Sequence, residues 1–320
     1  MKNMSLHEIA TACGGTYFGD STKLSLEVSG VAIDSRKVEK DFLFVAIKGA
    51  RVDGHDFIPQ VMENGALCAL SEKDLGDVPY SYILVKSCEQ ALKDLAEYYR
   101  LALDIKVVGI TGSVGKTSTK EMIASVLEQK YSVLKTEGNF NNEIGLPLTI
   151  FNIREEHEVA VLEMGINEFE EMHRLAKVAR PDICVITNIG FCHLENLIDR
   201  DGVLRAKTEM FDFMRDGAQI ILNGDDDKLI TVQNVKGITP VFFGLTERHD
   251  YYATDVHSLG LKGTSCILHL PNGTVNANIH LPGAHMVYNA LAGACVGYSL
   301  GLTNEEIQKG IESLLPVSGR

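Results

Sequence analysis

The densest chemistry in the chain lies in Thr111-Gly112-Ser113-Val114-Gly115-Lys116-Thr117-Ser118. Glycines let successive backbone N–H groups turn toward one anion, Lys116 adds a mobile positive charge, and the Thr117 hydroxyl offers an oxygen to a hard cation such as Mg2+. That combination suits the phosphates of a nucleoside triphosphate. The glycine usual five residues before Gly115 is replaced by Ile110, with Gly109 and Gly112 on either side of the gap. The flanks supply the context the loop requires: the apolar run ending at Ile110 reads as a strand, and the segment after Lys116 as a helix.

Other candidate groups stand at the ends of expected strands. Glu163 closes the run Val159–Met164, where it either joins Thr117 around Mg2+ or stands as a solvated carboxylate. His193 follows the run Asp182–Ile189 and could bind a metal or an anion, or be structural. Lys207, on a helix with Arg205 and Glu209, is by default a solvated cation. The loop Gly138–Pro147 crowds Asn139, Asn141 and Asn142 after a strand, as a polar binding loop or a turn with a helix cap would. Gly283-Ala284-His285 with Asn289 could border a base or simply begin a helix.

The elements that must carry these groups follow from periodicity. Short strands such as Phe42–Ile47 and Ser81–Val85, separated by Gly, Asp and Pro, suggest a small α/β domain over 1–87. Leu92, Leu95, Ala96 and Tyr99 recur at helical spacing, so 88–105 is expected to be a linking helix. From 106 to 320, strands at Lys106–Thr111, Val159–Met164, Asp182–Ile189 and Ala218–Asn223 alternate with helical patterns, which predicts a phosphate-loop ATPase-type domain with a mainly parallel sheet. The stretch Tyr251–Pro282, turning at Asn272-Gly273, predicts a β-rich edge, and helices are expected at His285–Leu300 and Thr303–Leu315.

Composition narrows the function classes. With 320 residues, 45% of them hydrophobic, the chain can build two cores. A formal net charge of −13 argues against nucleic acid or an anionic membrane as partner. Seven cysteines without a Cys-x-x-Cys pair suggest reduced thiols in the cytoplasm. No run reaches the roughly eighteen apolar residues of a spanning helix.

Taken in order, TGSVGKTS at 111–118, GNFNNEIGLPLT at 138–149, EMG at 163–165, CHLE at 192–195, RAKTE at 205–209, GAH…N from 283 to 289 and SGR at 318–320 resemble the Mur ligases, ATP-dependent amide-bond-forming enzymes of bacterial cell-wall synthesis. GNFNNEIGLPLT and EMGIN, with DSR at 34–36 and FVAIKGARVDGHDF at 44–57, look within that family most like the branch that joins D-alanyl-D-alanine to UDP-N-acetylmuramoyl (UDP-MurNAc) tripeptide. The resemblance implies a uridine-nucleotide domain, a central ATP domain and a third, Rossmann-like domain that is absent here, so the chain is expected to be a fragment with little turnover of its own, and a monomer.

Site roles follow by resemblance. ATP is expected at Thr111, Gly112, Ser113, Val114, Gly115, Lys116, Thr117 and Ser118, with His285, Asn289 and Arg320. Mg2+ is expected at Thr117, Glu163, His193 and Lys207, the last after carbamylation gives it anionic oxygens. Lys116, Lys207 and His193 are the expected catalytic groups. Ser35, Arg36, Lys48, Gly49, Ala50, Arg51, Asn141 and Asn142 are expected at the substrate. Family members often have asparagine where this chain has Met286. Two rival readings stand beside this one: a sister branch adding a diamino acid to UDP-MurNAc-dipeptide, and a non-catalytic nucleotide-binding module.

Overall fold

The computed structural model describes residue 1 and residues 3–315, and the chain divides into two compact α/β units: Met1–Asp104 with Glu143–Arg154, and Ile105–Asn142 with the chain from Glu155 onward. In the first unit, helix α1 (Leu6–Ala12) precedes strands β1 (Thr16–Phe18), β2 (Gly30–Ala32) and β3 (Phe42–Val45). Helix α2 (Ile58–Glu63), strands β4 (Cys68–Ser71) and β5 (Tyr82–Leu84) and helix α3 (Cys88–Leu101) follow. The sheet order is β1-β5-β4-β3-β2, antiparallel only between β1 and β5. Central β4 is buried at every residue, which is why it reads as an unbroken apolar run and not as an alternation.

Helix α3, expected as a link, belongs wholly to the first unit. Ser87 caps it by accepting from the Gln90 N–H, and Ala91, Leu92, Leu95, Ala96 and Tyr99 form its buried stripe. The Tyr99 hydroxyl donates to the Ile153 carbonyl at 2.7 Å, so the segment 143–154 is held in the same unit.

The second unit opens with β6 (Lys106–Thr111), helix α4 (Lys116–Leu127) and β7 (Val133–Lys135). Helix α5 (Gly145–Ile150) lies in the segment counted with the first unit. Then come β8 (Val159–Glu163), α6 (Glu171–Ala179), β9 (Ile183–Ile186), α7 (Leu194–Leu197), α8 (Arg200–Thr208), β10 (Gln219–Asn223) and β11 (Val241–Gly244). Strands β12 (Tyr251–Ser258), β13 (Thr264–Leu270) and β14 (Gly273–Ile279) precede helices α9 (Met286–Ser299) and α10 (Asn304–Ser313).

These nine strands form one sheet, ordered β14-β13-β12-β11-β10-β9-β6-β8-β7 and parallel from β7 through β12. The antiparallel pairs β12–β13 and β13–β14 make the expected β-rich edge, with Val275, Ala277 and Ile279 buried in strict alternation. Chain order departs to both sides of β6, so the carboxyl end of β6 is the topological switch point where such sheets bind ligands. Helix α9 is apolar all round because it is buried all round. On α10, Gly310 comes so close to the Val126 backbone of α4 that a side chain there would collide with it. No helix among the described residues is long and apolar enough to cross a membrane.

Candidate functional site

The phosphate-type loop joins β6 to α4 and is docked on the chain that leaves β9. Strand pairing ends at Ile186, short of the expected Ile189, because Thr187–Gly190 turns to hold the loop. Asn188 grips Val114 on both sides: its Oδ1 accepts from the Val114 N–H at 3.0 Å and its Nδ2 donates to the Val114 carbonyl at 2.9 Å. The Asn188 carbonyl accepts from Ser113 N, the Thr187 hydroxyl donates to the Val114 carbonyl, and Gly190 N donates to Ser113 Oγ. Gly112, at φ +158°, lies so close to Thr187 that a Cβ would collide with its hydroxyl. Replacing Asn188 with alanine is therefore expected to free the Val114 amide, with its hydrogen exchange rising about tenfold, the worth of one hydrogen bond. An unchanged exchange rate would show that the clamp does not hold the loop.

Helix α4 begins at Lys116 with no side chain capping its first turn, so its N–H groups and the positive end of its dipole face the loop. Lys116 Nζ rests on the Gly112 carbonyl at 3.0 Å. Beside it, at the end of β8, Glu163 is 2% exposed. Its Oε2 accepts from the Thr117 hydroxyl at 3.0 Å and its Oε1 from Asn141 Nδ2 at 2.8 Å. Asn141 thus spends its side-chain amide on Glu163, and its carbonyl accepts from Gly165 N.

Lys207 is 1% exposed and has no hydrogen-bond acceptor or ion-pair partner among the described residues. Burial, and then the charge of Lys116, lower its pKa from 10.5 to about 8. An amine of that kind keeps its proton at neutral pH but gives it up far more readily than a solvated lysine. His193 takes no part in these hydrogen bonds: it is exposed, its backbone is left-handed at φ +52°, and its ring makes no hydrogen bond among the described residues. The described residues contain no cluster of three His, Cys, Asp or Glu arranged for a metal. The Thr117 hydroxyl and Glu163 carboxylate are hard oxygen donors and fit Mg2+.

A cavity of about 660 Å³ opens beside the loop, lined by Val114, Gly115 and Ser118, by the ends of the neighbouring strands, and by His285, Tyr288 and Asn289. His285 is exposed at its rim. Asn289 lines it too, but its amide is engaged inward: Oδ1 accepts from the Thr119 hydroxyl at 2.9 Å and Nδ2 donates to Met286 Sδ at 3.3 Å. Met286 thus serves as the partner of Asn289 inside α9.

Asp225, missed in the sequence reading, shapes the far wall. It accepts from Leu245 N at 2.7 Å and Tyr288 OH at 3.2 Å, and pairs with the buried His249 ring at 2.9 Å. Burial pushes its carboxyl up, yet these hydrogen bonds outweigh burial and hold it below the ordinary carboxylate range. Burial, followed by the Asp225 charge, raises Tyr288 to about 12. The signal was available: Asn223-Gly224-Asp225-Asp226 follows the carboxyl end of β10, where this kind of sheet presents functional groups.

In the first unit, Asp34 caps the turn Ser35–Lys37 and holds the exposed Arg36 bidentately, at 2.9 and 2.7 Å. The Arg36 hydrogen bond lowers Asp34 to about 2. Lys48, Gly49, Ala50 and Arg51 form an exposed turn closed by Gly49 N donating to the Val52 carbonyl at 2.9 Å. Asn142 is exposed at the end of its segment of the second unit, and Arg320 lies outside the described residues.

The family described as "Mur ligase middle domain" matches residues 110–297, and that described as "Mur ligase family, catalytic domain" matches residues 27–100. The UDP-N-acetylmuramoyl-tripeptide–D-alanyl-D-alanine ligase of Bacillus subtilis (strain 168) is 39% identical over 291 residues, covering 90% of this chain and 62% of that protein. The ligase of the same name from Escherichia coli (strain K12) is 36% identical, covering 94% and 67%. The crystal structure of MurF from Acinetobacter baumannii superposes with a TM-score of 0.90 at 32% identity, over 99% of this chain and 69% of that one. MurF ligase from Thermotoga maritima in complex with ADP gives 0.80 at 32% identity, over 91% and 67%. The chain thus spans about 62 to 70% of the length of these relatives.

Proposed function

Because the chain belongs to the Mur ligase family, we propose that it carries the uridine-substrate and ATP-binding parts of an ATP-dependent ligase joining D-alanyl-D-alanine to UDP-MurNAc-tripeptide. The observation that carries this reading is the meeting of the loop hydroxyl of Thr117 with the strand-end carboxylate of Glu163 at 3.0 Å, next to Lys116, whose charge reaches the buried amine of Lys207.

In the proposed reaction, the tripeptide carboxylate attacks the γ-phosphorus of ATP, the bond to the bridging oxygen breaks, and ADP leaves an acyl phosphate behind. The amine of D-alanyl-D-alanine then attacks the acyl carbon and expels inorganic phosphate. The uncapped N-terminus of α4 binds the phosphates, and Lys116 exchanges the Gly112 carbonyl for a phosphate oxygen. The loop amides act through alignment and charge, with no covalent intermediate on the protein. Thr117, Glu163, His193 and carbamylated Lys207 would hold Mg2+, which supplies charge screening between two anions. Neutral Lys207 would form the carbamate by adding its nitrogen to CO2 and releasing a proton. The cavity edged by His285 and Tyr288 takes the nucleoside, and Ser35, Arg36 and the turn Lys48–Arg51 take the uridine end of the substrate.

Calorimetry tests the reading directly. ADP with Mg2+ and UDP-MurNAc-tripeptide are each expected to bind the chain at micromolar to submillimolar concentration. No heat of binding at millimolar UDP-MurNAc-tripeptide would sink the substrate assignment, and preference for the dipeptide would favour the sister branch.

A further inference from the structure

Four residues in the second unit close a ring that begins and ends on helix α4. The Thr117 hydroxyl donates to Glu163 Oε2 at 3.0 Å, and Glu163 N donates to Thr136 Oγ1 at 3.0 Å. Lys120 Nζ donates to the Thr136 carbonyl at 2.6 Å, and Lys120 sits on α4 one turn beyond Thr117. Lys120 is 1% exposed and Thr136 is fully buried. A cation so deeply buried is costly unless its partners repay the lost hydration, and an apolar residue usually fills such a place at no loss of stability.

The partners explain the exception. Thr136 follows the end of β7 and donates its N–H to the Val161 carbonyl of β8, but its hydroxyl and not its carbonyl accepts from Glu163 N, so the carbonyl needs another donor. Lys120 supplies one, and its charge is balanced by Glu121 at 3.0 Å, which also pairs with Lys135 at 2.7 Å. From Thr136 the chain runs directly into the loop whose Asn141 holds the other oxygen of Glu163 at 2.8 Å.

We propose that Lys120 is a positioning residue: it sets the distance between the phosphate-loop helix and the Thr136–Asn141 loop, and so places Glu163 against the Thr117 hydroxyl for a divalent cation. This rests on the nucleotide and Mg2+ reading above. Its mark is a selective one, because the ring governs the cation and not the loop amides that meet the phosphates.

Calorimetry of ADP with and without Mg2+ on Lys120→Met, Lys120→Arg and Thr136→Val tests it. Wild type is expected to bind ADP more tightly with Mg2+. In Lys120→Met that gain should shrink about tenfold while affinity in EDTA stays within about twofold, and Lys120→Arg should recover part of it. A lowered melting temperature with the full Mg2+ gain retained would reduce Lys120 to a structural role and overturn the proposal. If Lys120→Met does not fold, Thr136→Val decides: a lost Mg2+ gain supports the ring, and an intact one overturns it. Wild type failing to bind ADP at all would instead sink the underlying functional reading.

Discussion

Lys116→Ala is expected to weaken ADP binding in the presence of Mg2+ by about ten- to a hundredfold, because a charge-assisted hydrogen bond to phosphate contributes about 1.5–3 kcal/mol. The loss falls on binding and not on folding. Lys116 is only partly buried, and its one side-chain hydrogen bond among the described residues goes to the Gly112 carbonyl at 3.0 Å. Truncation should therefore change stability by less than about 1 kcal/mol. The loop itself stays docked, since Asn188, Thr187 and Gly190 hold Ser113 and Val114 without help from the lysine. Calorimetry with a parallel thermal melt separates the two effects. Affinity within threefold of wild type would mean that phosphate does not sit over this loop.

Lys207→Met should instead raise stability while removing the amine that the proposed carbamate needs. At neutral pH the buried ammonium of Lys207 burdens the ligand-free fold. Its pKa of about 8 against an ordinary 10.5 corresponds to roughly 3 kcal/mol, which a methionine of similar length would recover. The sign follows from proton binding. Below about pH 8 the folded and unfolded chains both carry the proton, so the full burden is present. As pH rises from about 8 toward 10.5, the folded chain releases it first and wild type gains stability. The advantage of the variant is thus greatest near pH 6–7 and closes by about pH 10.5 in denaturant melts. A variant less stable than wild type at pH 7 would contradict this account of the buried amine. With 13C-labelled bicarbonate, wild type should also show a carbamate resonance that the variant lacks.

Much of this architecture is local, and local features are legible. The strand Lys106–Thr111 and the loop after it follow from adjacent residues alone, because a strand, a glycine turn and a helix start each depend on neighbours in sequence. The stretch Tyr251–Pro282 likewise announced the β-rich edge, where Val275, Ala277 and Ile279 face the core. Where expectation and fold part, a distant partner is the cause. The run Asp182–Ile189 has the composition of one strand, but its last residues leave the sheet to hold a loop 74 positions earlier. Asn141 looks like a free amide in a binding loop until Glu163, 22 residues on, is seen to occupy it. The helix 88–105 has the pattern of any amphipathic helix, and nothing in its spacing says which unit its apolar stripe will cover.

The sequence by itself determined the order of the elements, the glycine-rich loop with its lysine and hydroxyls at Thr111–Ser118 and the family, since each is written in contiguous residues. Only the tertiary structure decided that Lys207 is a buried and burdened amine, that Asn188 clamps the loop, that Asp225 and Tyr288 wall the cavity, and that Lys120 closes a ring through Thr136 to Glu163. The reason is physical. A side chain's charge state and hydrogen-bond partners depend on how much water the fold removes and on which distant groups it brings near, and neither quantity is carried by the residue or its sequence neighbours.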